Sequence, residues 1–360
     1  MLSLAQSNQW QNEAKKSLEY ARRLRSKTRS SAWKSSSEQL KTAGSRLESP
    51  SALTSDKERN VLSISIVMVN YNGLQLLKKS LPAIDTQDHP HFEVIIVDNA
   101  STDGSTQYIT QSFPVFRCIR SRVNLHYTKA MNVGIRESHG NLLLLMNNDV
   151  NLDRSFLSNM IRAARAEPDA GIFGPKVFYH GTRFVQYAAG KLYTRKLRAA
   201  SCSHEKMEQV DWILGAVWMI RRSVFKRIGL LDEENYTAYF EESDFQRTAK
   251  ERGIRMIYVP FASASHVDSA TLTAGSEIHA YHWTKGFMSF ALIHLPLMES
   301  MIRVVIVLSA TLLDIAYGRP LAARGRMFGL RMSVKMLPVA IRRRIQLRYL
   351  PNSANATLLG

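Results

Sequence analysis

The sequence predicts an α/β protein: a mostly parallel, doubly wound sheet flanked by helices, with a helical extension at its C-terminal end. Three observations carry this. Residues 64–69, 92–97 and 142–146 are nearly unbroken apolar runs of strand length, the composition of strands covered on both faces. Each run stops in a cluster of Asn, Asp, Ser or Gly, short polar residues suited to turns. Helix-length segments separate the runs, and regular alternation of strand and helix builds parallel sheets.

In chain order, residues 1–60 are rich in Ser, Lys, Arg and Gln and are expected to be a disordered basic arm. A membrane-surface helix over residues 8–25 is the alternative. The strand at 64–69 ends in Asn70-Tyr71-Asn72-Gly73, and a helix is expected from Leu74, kinked or ended by Pro82. The strand at 92–97 runs into Asp98-Asn99-Ala100-Ser101-Thr102-Asp103-Gly104-Ser105. Thr102 or Asp103 is placed to cap the next helix, which leaves Asp98 facing the crevice. A strand near 115–119 precedes Asn124, and a helix follows from about Thr128 to Ser138. The run 142–146 then ends in Asn147-Asn148-Asp149. Open α/β sheets hold ligands at the carboxyl edge of their strands, and oxygen-bearing side chains there suit a hard divalent cation. The same three residues also suit a plain turn.

Composition narrows the function classes. The 360 residues, 45% of them hydrophobic, suffice for one large domain with appendages. The net charge of +18 calls for an anionic partner: nucleic acid, a phosphorylated substrate or an acidic membrane. Cys118 and Cys202 lie far apart without metal-ligand spacing, which argues against a disulfide scaffold and fits a reducing compartment. The sequence has no G-x-x-x-x-G-K-[ST] loop, no G-x-G-x-x-G and no repeat, and no secretory signal is expected.

Residues 66–149 resemble the nucleotide-sugar half of the family 2 inverting glycosyltransferases, which have the GT-A fold. The matching pieces are Val69-Asn70-Tyr71-Asn72-Gly73, the stretch from Val97-Asp98 to Gly104-Ser105, Asn124-Leu125, Asn132-Val133-Gly134-Ile135 and Asn147-Asn148-Asp149. Their order and spacing carry the resemblance, and the Asn-Asn-Asp version is similar to the rhamnosyltransferase-like branch. The resemblance implies a nucleotide-sugar site built from Asn70, Asn72, Asp98, Ser101, Asn124, Lys129, Asn132 and Asn148, with Asp98 reading the base. Lys129 and Arg122 are candidates to hold the diphosphate. Asn147 and Asp149 would ligate the divalent cation, Mn2+ or Mg2+, that neutralises the leaving diphosphate.

The second half, residues 151–275, carries the acceptor side. Residues 171–176 read as a short strand and turn, and 183–210 as a β excursion over the site. Residues 211–216 resemble the family's loop near the acceptor, which gives Trp212 and Gly215 acceptor-binding roles; Trp212 as ordinary core is the alternative. Tyr239-Phe240-Glu241-Glu242-Ser243-Asp244 places three carboxylates at a helix start. Their repulsion should raise at least one pKa, as a general base for a sugar hydroxyl requires, although acids at a helix N-terminus are stabilising in any case. The family's base maps onto Glu242, with Asp244 as the fallback and Glu241 on the acceptor side. His266, after a strand at 255–259, matches the family's imidazole metal ligand. Two departures stand out: His126-Tyr127-Thr128-Lys129 replaces a small Gly-rich turn, and Glu242 replaces the usual Asp.

From about His279 to residue 350 the chain reads as helices with long apolar faces, followed by a frayed tail at 351–360. The apolar stretch 304–313 is shorter than the roughly 20 residues that a spanning helix needs and suggests an interfacial helix. Residues 319–348 are basic, without one acidic residue, and interleaved with apolar ones, which suits an anionic membrane surface. No nucleic-acid recognition motif is present. The expected protein is a metal-dependent inverting glycosyltransferase, peripheral on the cytoplasmic face of a membrane. It would move a sugar, rhamnose among the candidates, from a nucleotide-diphosphate donor to a glycan or lipid-linked acceptor in cell-surface polysaccharide synthesis. The alternatives are a sugar nucleotidyltransferase and a non-catalytic scaffold of the same fold.

Overall fold

The computed structural model describes residues 62–187, 205–267 and 276–349. The expectations for the N-terminal arm, the C-terminal tail and the middle of the 183–210 excursion lie outside the described residues. The first half alternates as expected: β1 (Ile64–Asn70), α1 (Leu74–Asp85), β2 (Phe92–Asp98), α2 (Ser105–Ser112), β3 (Arg117–Arg120), α3 (His126–Arg136) and β4 (Leu142–Asn147). Pro82 lies inside α1, which continues three residues past it. Asp103 serves two helices, accepting from the Leu74 amide at 2.8 Å and the Ser105 amide at 3.1 Å.

There follow β5 (Val150–Leu152), α4 (Phe156–Ala166), β6 (Ala170–Tyr179), β7 (Val185–Tyr187), β8 (Glu208–Val210), β9 (Val217–Arg221), α5 (Arg222–Ile228), α6 (Glu241–Glu251) and β10 (Arg255–His266). The sheet runs β3-β2-β1-β4-β9-β6-β10-β5, with β7 on β6 and β8 on β10. The four strands of the first half are parallel. The "mostly parallel" expectation holds there and not beyond: β9, β5, β7 and β8 all pair antiparallel, so the whole sheet is mixed. Strand alternation sends neighbours to opposite faces. Ile64, Ile66, Met68, Leu142, Leu144 and Met146 accordingly belong to one core layer, and Val67, Val69, Leu143 and Leu145 to the other.

Register positions the site. Asn70 pairs with Asp98, and Val69 with Asn147, so three polar strand ends share one edge. His266 is opposite Val150 in the antiparallel pair of β10 and β5, which brings it beside Asp149. At the end of β4, the Asn147 amide donates to Ala216 O at 2.9 Å, tying the 212–216 loop to the same edge.

Four helices complete the chain: α7 (Glu277–His294), α8 (Leu297–Ala316), α9 (Pro320–Lys335) and α10 (Leu337–Tyr349). The Ser276 hydroxyl caps α7, accepting from the His279 amide at 3.2 Å. Helix α8 is inverted in polarity. Its buried residues are Ser300, Val307, Thr311 and Asp314, whereas Met298, Met301, Val305, Leu308, Leu312 and Ile315 are all exposed. Their alternating spacing of three and four makes one continuous apolar stripe. Among the described residues, no helix is long and apolar enough to cross a membrane.

Candidate active site

The expected nucleotide-binding residues at the β1–β2 edge form a closed hydrogen-bond network. Asn148 Nδ2 donates to Asn70 Oδ1 (2.9 Å), and Asn70 Nδ2 donates to Asp98 Oδ2 and Ser101 Oγ (3.2 Å each). Asp98 Oδ1 accepts from the Ser101 amide, and Ser101 Oγ from the Asn72 amide. Asp98 is fully buried with both oxygens engaged, so it does not face an open crevice as expected. It fixes the loop that carries Asn72 and Thr102. Asn72 is exposed, takes a left-handed φ of 48° and accepts from the Thr102 amide.

Asn124 and Asn132 also depart from the expected donor role, because their side-chain groups are used internally. Asn124 Oδ1 accepts from Asn99 Nδ2 and the His126 amide. Asn132 is buried and bridges α3 to Leu231 and Glu233. Short amides are good loop staples, and Asn124 and Asn132 serve as such here. Lys129 is half-buried on α3, and Arg122 is exposed.

Asp149 and His266 meet. Both are buried, and His266 Nε2 lies 3.3 Å from Asp149 Oδ1. That carboxylate oxygen has no hydrogen-bond partner. The other ring nitrogen, Nδ1, lies 3.0 Å from Gln186 Oε1, which accepts a hydrogen bond from Nδ1–H; in the neutral ring this tautomer turns the Nε2 lone pair to Asp149. Two acceptors opposed in a buried place suit a cation between them, and an outer hydrogen bond that orients the ring is the usual support of a metal-binding imidazole. Asn147 closes β4 two residues earlier. Among the described residues no three His, Cys, Asp or Glu side chains converge, so any further ligand must come from an amide or from substrate oxygen.

The acidic helix start divides by environment. Asp244 is 1% exposed and bound to His294 Nε2 (2.7 Å) and Tyr236 OH (3.2 Å), with Arg343 at 3.7 Å. Burial opposes its ionisation, but His294 and Arg343 hold its carboxyl below the usual carboxylate range. The fallback base is therefore an anchor for α7 and α10. Glu241 and Glu242 differ: burial pushes both up, and the charge of Glu242 pushes Glu241 further. Glu241 Oε2 has no hydrogen-bond partner. Of this pair, Glu241 is buried and Glu242 is half-buried, so Glu242 is the one open to an acceptor as a base.

The 212–216 loop holds Glu242 in place. Trp212 Nε1 donates to Ser243 Oγ, which donates to Glu242 Oε1, each at 3.1 Å. Gln246 clamps Ile213 through its amide nitrogen and carbonyl oxygen. A Cβ on Gly215 would lie 2.7 Å from Glu242 Cγ, so the loop needs glycine there. Trp212 packs partly on the core and points its indole N–H at Ser243, a positioning role that combines the two readings of it.

Several participants had no assigned site role in the sequence, although Tyr127 belongs to the 126–129 departure noted there. Tyr127 is one: burial first, then the fields of Glu241, Glu242 and Asp149, raise its phenol well above the ordinary value, which sets it among all three carboxylates. Gln186, Ser243 and Gln246 carry no motif. Tyr239 and Phe240, immediately before the acids, take left-handed φ angles of 63° and 70°. Such backbone costs about 1–3 kcal/mol per residue. It is held by Phe240 packing on Trp283, Phe287 and Phe290 of α7. Helix α7 comes close at Gly286, where a Cβ would lie 2.6 Å from Tyr239 O.

The family described as Glycosyl transferase family 2 matches residues 65–229. An N-acetylglucosaminyl-diphospho-decaprenol L-rhamnosyltransferase of Mycobacterium tuberculosis is 26% identical over 250 residues, 61% of this chain and 81% of that protein. An uncharacterized protein of Sinorhizobium fredii is 26% identical over 226 residues, 58% of this chain; the match spans only 25% of that longer protein. The crystal structure of GalNAc-T7 with UDP, GalNAc and Mn2+ is similar with a TM-score of 0.55, covering 65% of this chain and 48% of that one. At 15% identity this likeness speaks for the GT-A fold alone.

Proposed function

We propose that this protein is a metal-dependent inverting transferase acting on a nucleotide-diphosphate sugar, because residues 65–229 match Glycosyl transferase family 2 and the chain is similar to a rhamnosyltransferase. One observation carries the reading. The 212–216 loop touches Glu242 through Gly215 and holds the end of β4 through Ala216, so a raised carboxylate and the Asp149–His266 pair are fixed to one another.

Glu242 accepts the proton of an acceptor hydroxyl as its O–H bond breaks. The freed oxygen attacks the anomeric carbon from the face opposite the nucleotide, and the bond from that carbon to the diphosphate oxygen breaks. Attack from the opposite face inverts the centre. Asp149, His266 and Asn147 would hold a Mn2+ or Mg2+ ion, which when bound supplies Lewis-acid stabilisation to the departing diphosphate. Glu241, whose carboxyl burial pushes up, donates a hydrogen bond to the acceptor when protonated. Trp212 and Ser243 keep the Glu242 carboxylate oriented. Tyr127 narrows the donor side where relatives have a small turn.

We place the acceptor on a lipid and the protein on the cytoplasmic face of an anionic membrane. The exposed stripe of α8 supports this, together with the absence of acidic residues after Asp314. Rhamnose is the leading donor sugar by similarity to the mycobacterial enzyme. The test is a panel of dTDP-rhamnose, UDP-sugars and GDP-sugars with Mn2+ or chelator, read by thermal shift and by transfer, on wild type and Glu242→Gln. Glu242→Gln is expected to keep metal-dependent donor binding and lose turnover by at least roughly 10²-fold. Turnover that survives this change removes Glu242 as the base. A folded wild type that binds no donor points to a scaffold.

A further inference from the structure

The mechanism leaves one buried cation unused. Lys285 of α7 is 4% exposed and makes no hydrogen bond or ion pair with any described residue. The carboxylate whose field reaches it, Asp232, is already bonded to Asn235 and lies 3.5 Å from Arg343. One turn earlier on the same helix, His282 is buried with Nδ1 2.8 Å from Thr237 Oγ1. The His126 ring lies 5.8 Å from that of His282. Thr237 O accepts from the amides of Tyr127 and Thr128, and Thr128 Oγ1 is buried without a partner. A buried, uncompensated ammonium is among the costliest groups a fold can carry, and these neighbours bring N–H and O–H donors but no neutralising charge.

We propose that Lys285, with His282 and His126, is a seat for a phosphoryl anion, and that its occupant is the diphosphate of a lipid-linked acceptor. Two sources share this chemistry, the nucleotide donor and a lipid diphosphate. The placement favours the second. Lys285 precedes Gly286, which lies against Tyr239 and Phe240, the residues leading into Glu241 and Glu242. The same helix packs on α8, whose outer stripe is apolar. A lipid diphosphate sugar must present its hydroxyl to Glu242 and its tail to the bilayer, so its diphosphate lies between the two, where α7 runs. Burial pushes Lys285 down to about 8 and His282 to about 3, as groups do that lack their counter-ion. The choice of the lipid over the donor rests on the acceptor reading above; the anion seat itself does not.

The test uses the full chain and three probes: inorganic pyrophosphate, geranylgeranyl diphosphate in detergent, and dTDP with Mn2+. Lys285→Met keeps the length of the side chain and removes its charge, and Lys285→Arg keeps the charge. Lys285→Met is expected to weaken pyrophosphate and geranylgeranyl diphosphate at least tenfold, with partial recovery in Lys285→Arg and dTDP affinity within twofold of wild type. Its Tm without ligand is expected to equal or exceed that of wild type, because the uncompensated charge is gone. Unchanged binding of all three probes overturns the seat. A loss confined to dTDP overturns the lipid assignment. A fall of several degrees in the unliganded Tm makes Lys285 a structural residue and overturns the proposal. Failure of every nucleotide sugar to react, with the geranylgeranyl arm behaving as expected, counts against the transferase mechanism and leaves the seat standing.

Discussion

Gly215→Ala tests whether the position of Glu242 decides turnover. The new methyl would stand 2.7 Å from Glu242 Cγ, 3.0 Å from its Cβ and 3.1 Å from its Cδ, where ordinary contact begins at 3.4 Å. Relief requires the glutamate stem to move by roughly 0.7 Å, and displacements near 1 Å cost about 10²-fold in rate when geometry is the source of catalysis. Overpacking of this kind costs about 1–3 kcal/mol of stability, which lowers Tm by a few degrees without unfolding the chain. Steady-state transfer assays should show kcat falling about 10²-fold while donor KM and metal affinity stay near wild type, since Gly215 touches neither Asp149 nor His266. The Ser243→Ala change, which removes the hydroxyl donating to Glu242, should give a smaller loss in the same sense. A folded Gly215→Ala enzyme with wild-type kcat would refute the argument, and a rise in donor KM at unchanged kcat would transfer Gly215 to the donor site.

Three further outcomes follow from the geometry. Gln186→Ala frees the His266 ring and should weaken Mn2+ binding about 10-fold or more by calorimetry, with Asp149→Asn losing it; equal affinity in all three proteins would remove the pair as ligands. His294→Ala leaves Asp244 buried beside Tyr236 and Arg343 and should cost about 3–5 kcal/mol at neutral pH. Because the Asp244 carboxyl is held below its ordinary value of 3.8, its stabilisation is present above that pH and is lost as pH falls through the folded-state value. The difference between wild type and mutant should therefore shrink in acid, and a pH-independent difference would contradict the linkage. Val305→Glu with Leu312→Glu places two charges on the α8 stripe, where each apolar side chain contributes about 1.5–3 kcal/mol on burial. Sedimentation with anionic vesicles should fall by roughly 10²-fold or more while Tm is unchanged; unaltered vesicle binding would exclude this face.

What could be read from the sequence was local. Strands β1, β2 and β4 were visible because each is largely buried on both faces and therefore nearly continuously apolar, and their Asn and Asp ends marked the carboxyl edge; β3 is a short edge strand with exposed arginines at both ends. The acidic residues at the start of α6 and the lone His266 were expected at the site through the family resemblance. The sequence also showed that the C-terminal segment is basic without acids and that its apolar stretch is too short to span a bilayer. Helix α4, strands β5 and β9 and the antiparallel pairings of the second half were not visible. A strand as short as β5 is too brief for periodicity to register, and its pairing depends on a partner over a hundred residues away.

The tertiary structure alone decided which polar residues are free. Asp98, Asn124 and Asn132 have the residue types of ligand-binding groups, yet hydrogen bonds across 25 to 101 residues consume them. Asp149 has the same chemistry and is left with an unpartnered oxygen, because the antiparallel register of β10 on β5 sets an imidazole opposite it rather than a donor. Glu242 and Asp244 are two residues apart in the chain and diverge in the fold: α7 and α10 give Asp244 a His and an Arg, while Glu242 meets a glycine loop and a second acid. Sequence specified the kinds of groups and the strand ends that carry them. The charge state of each group depends on which neighbours remove it from water, and those neighbours are set by sheet register and helix packing.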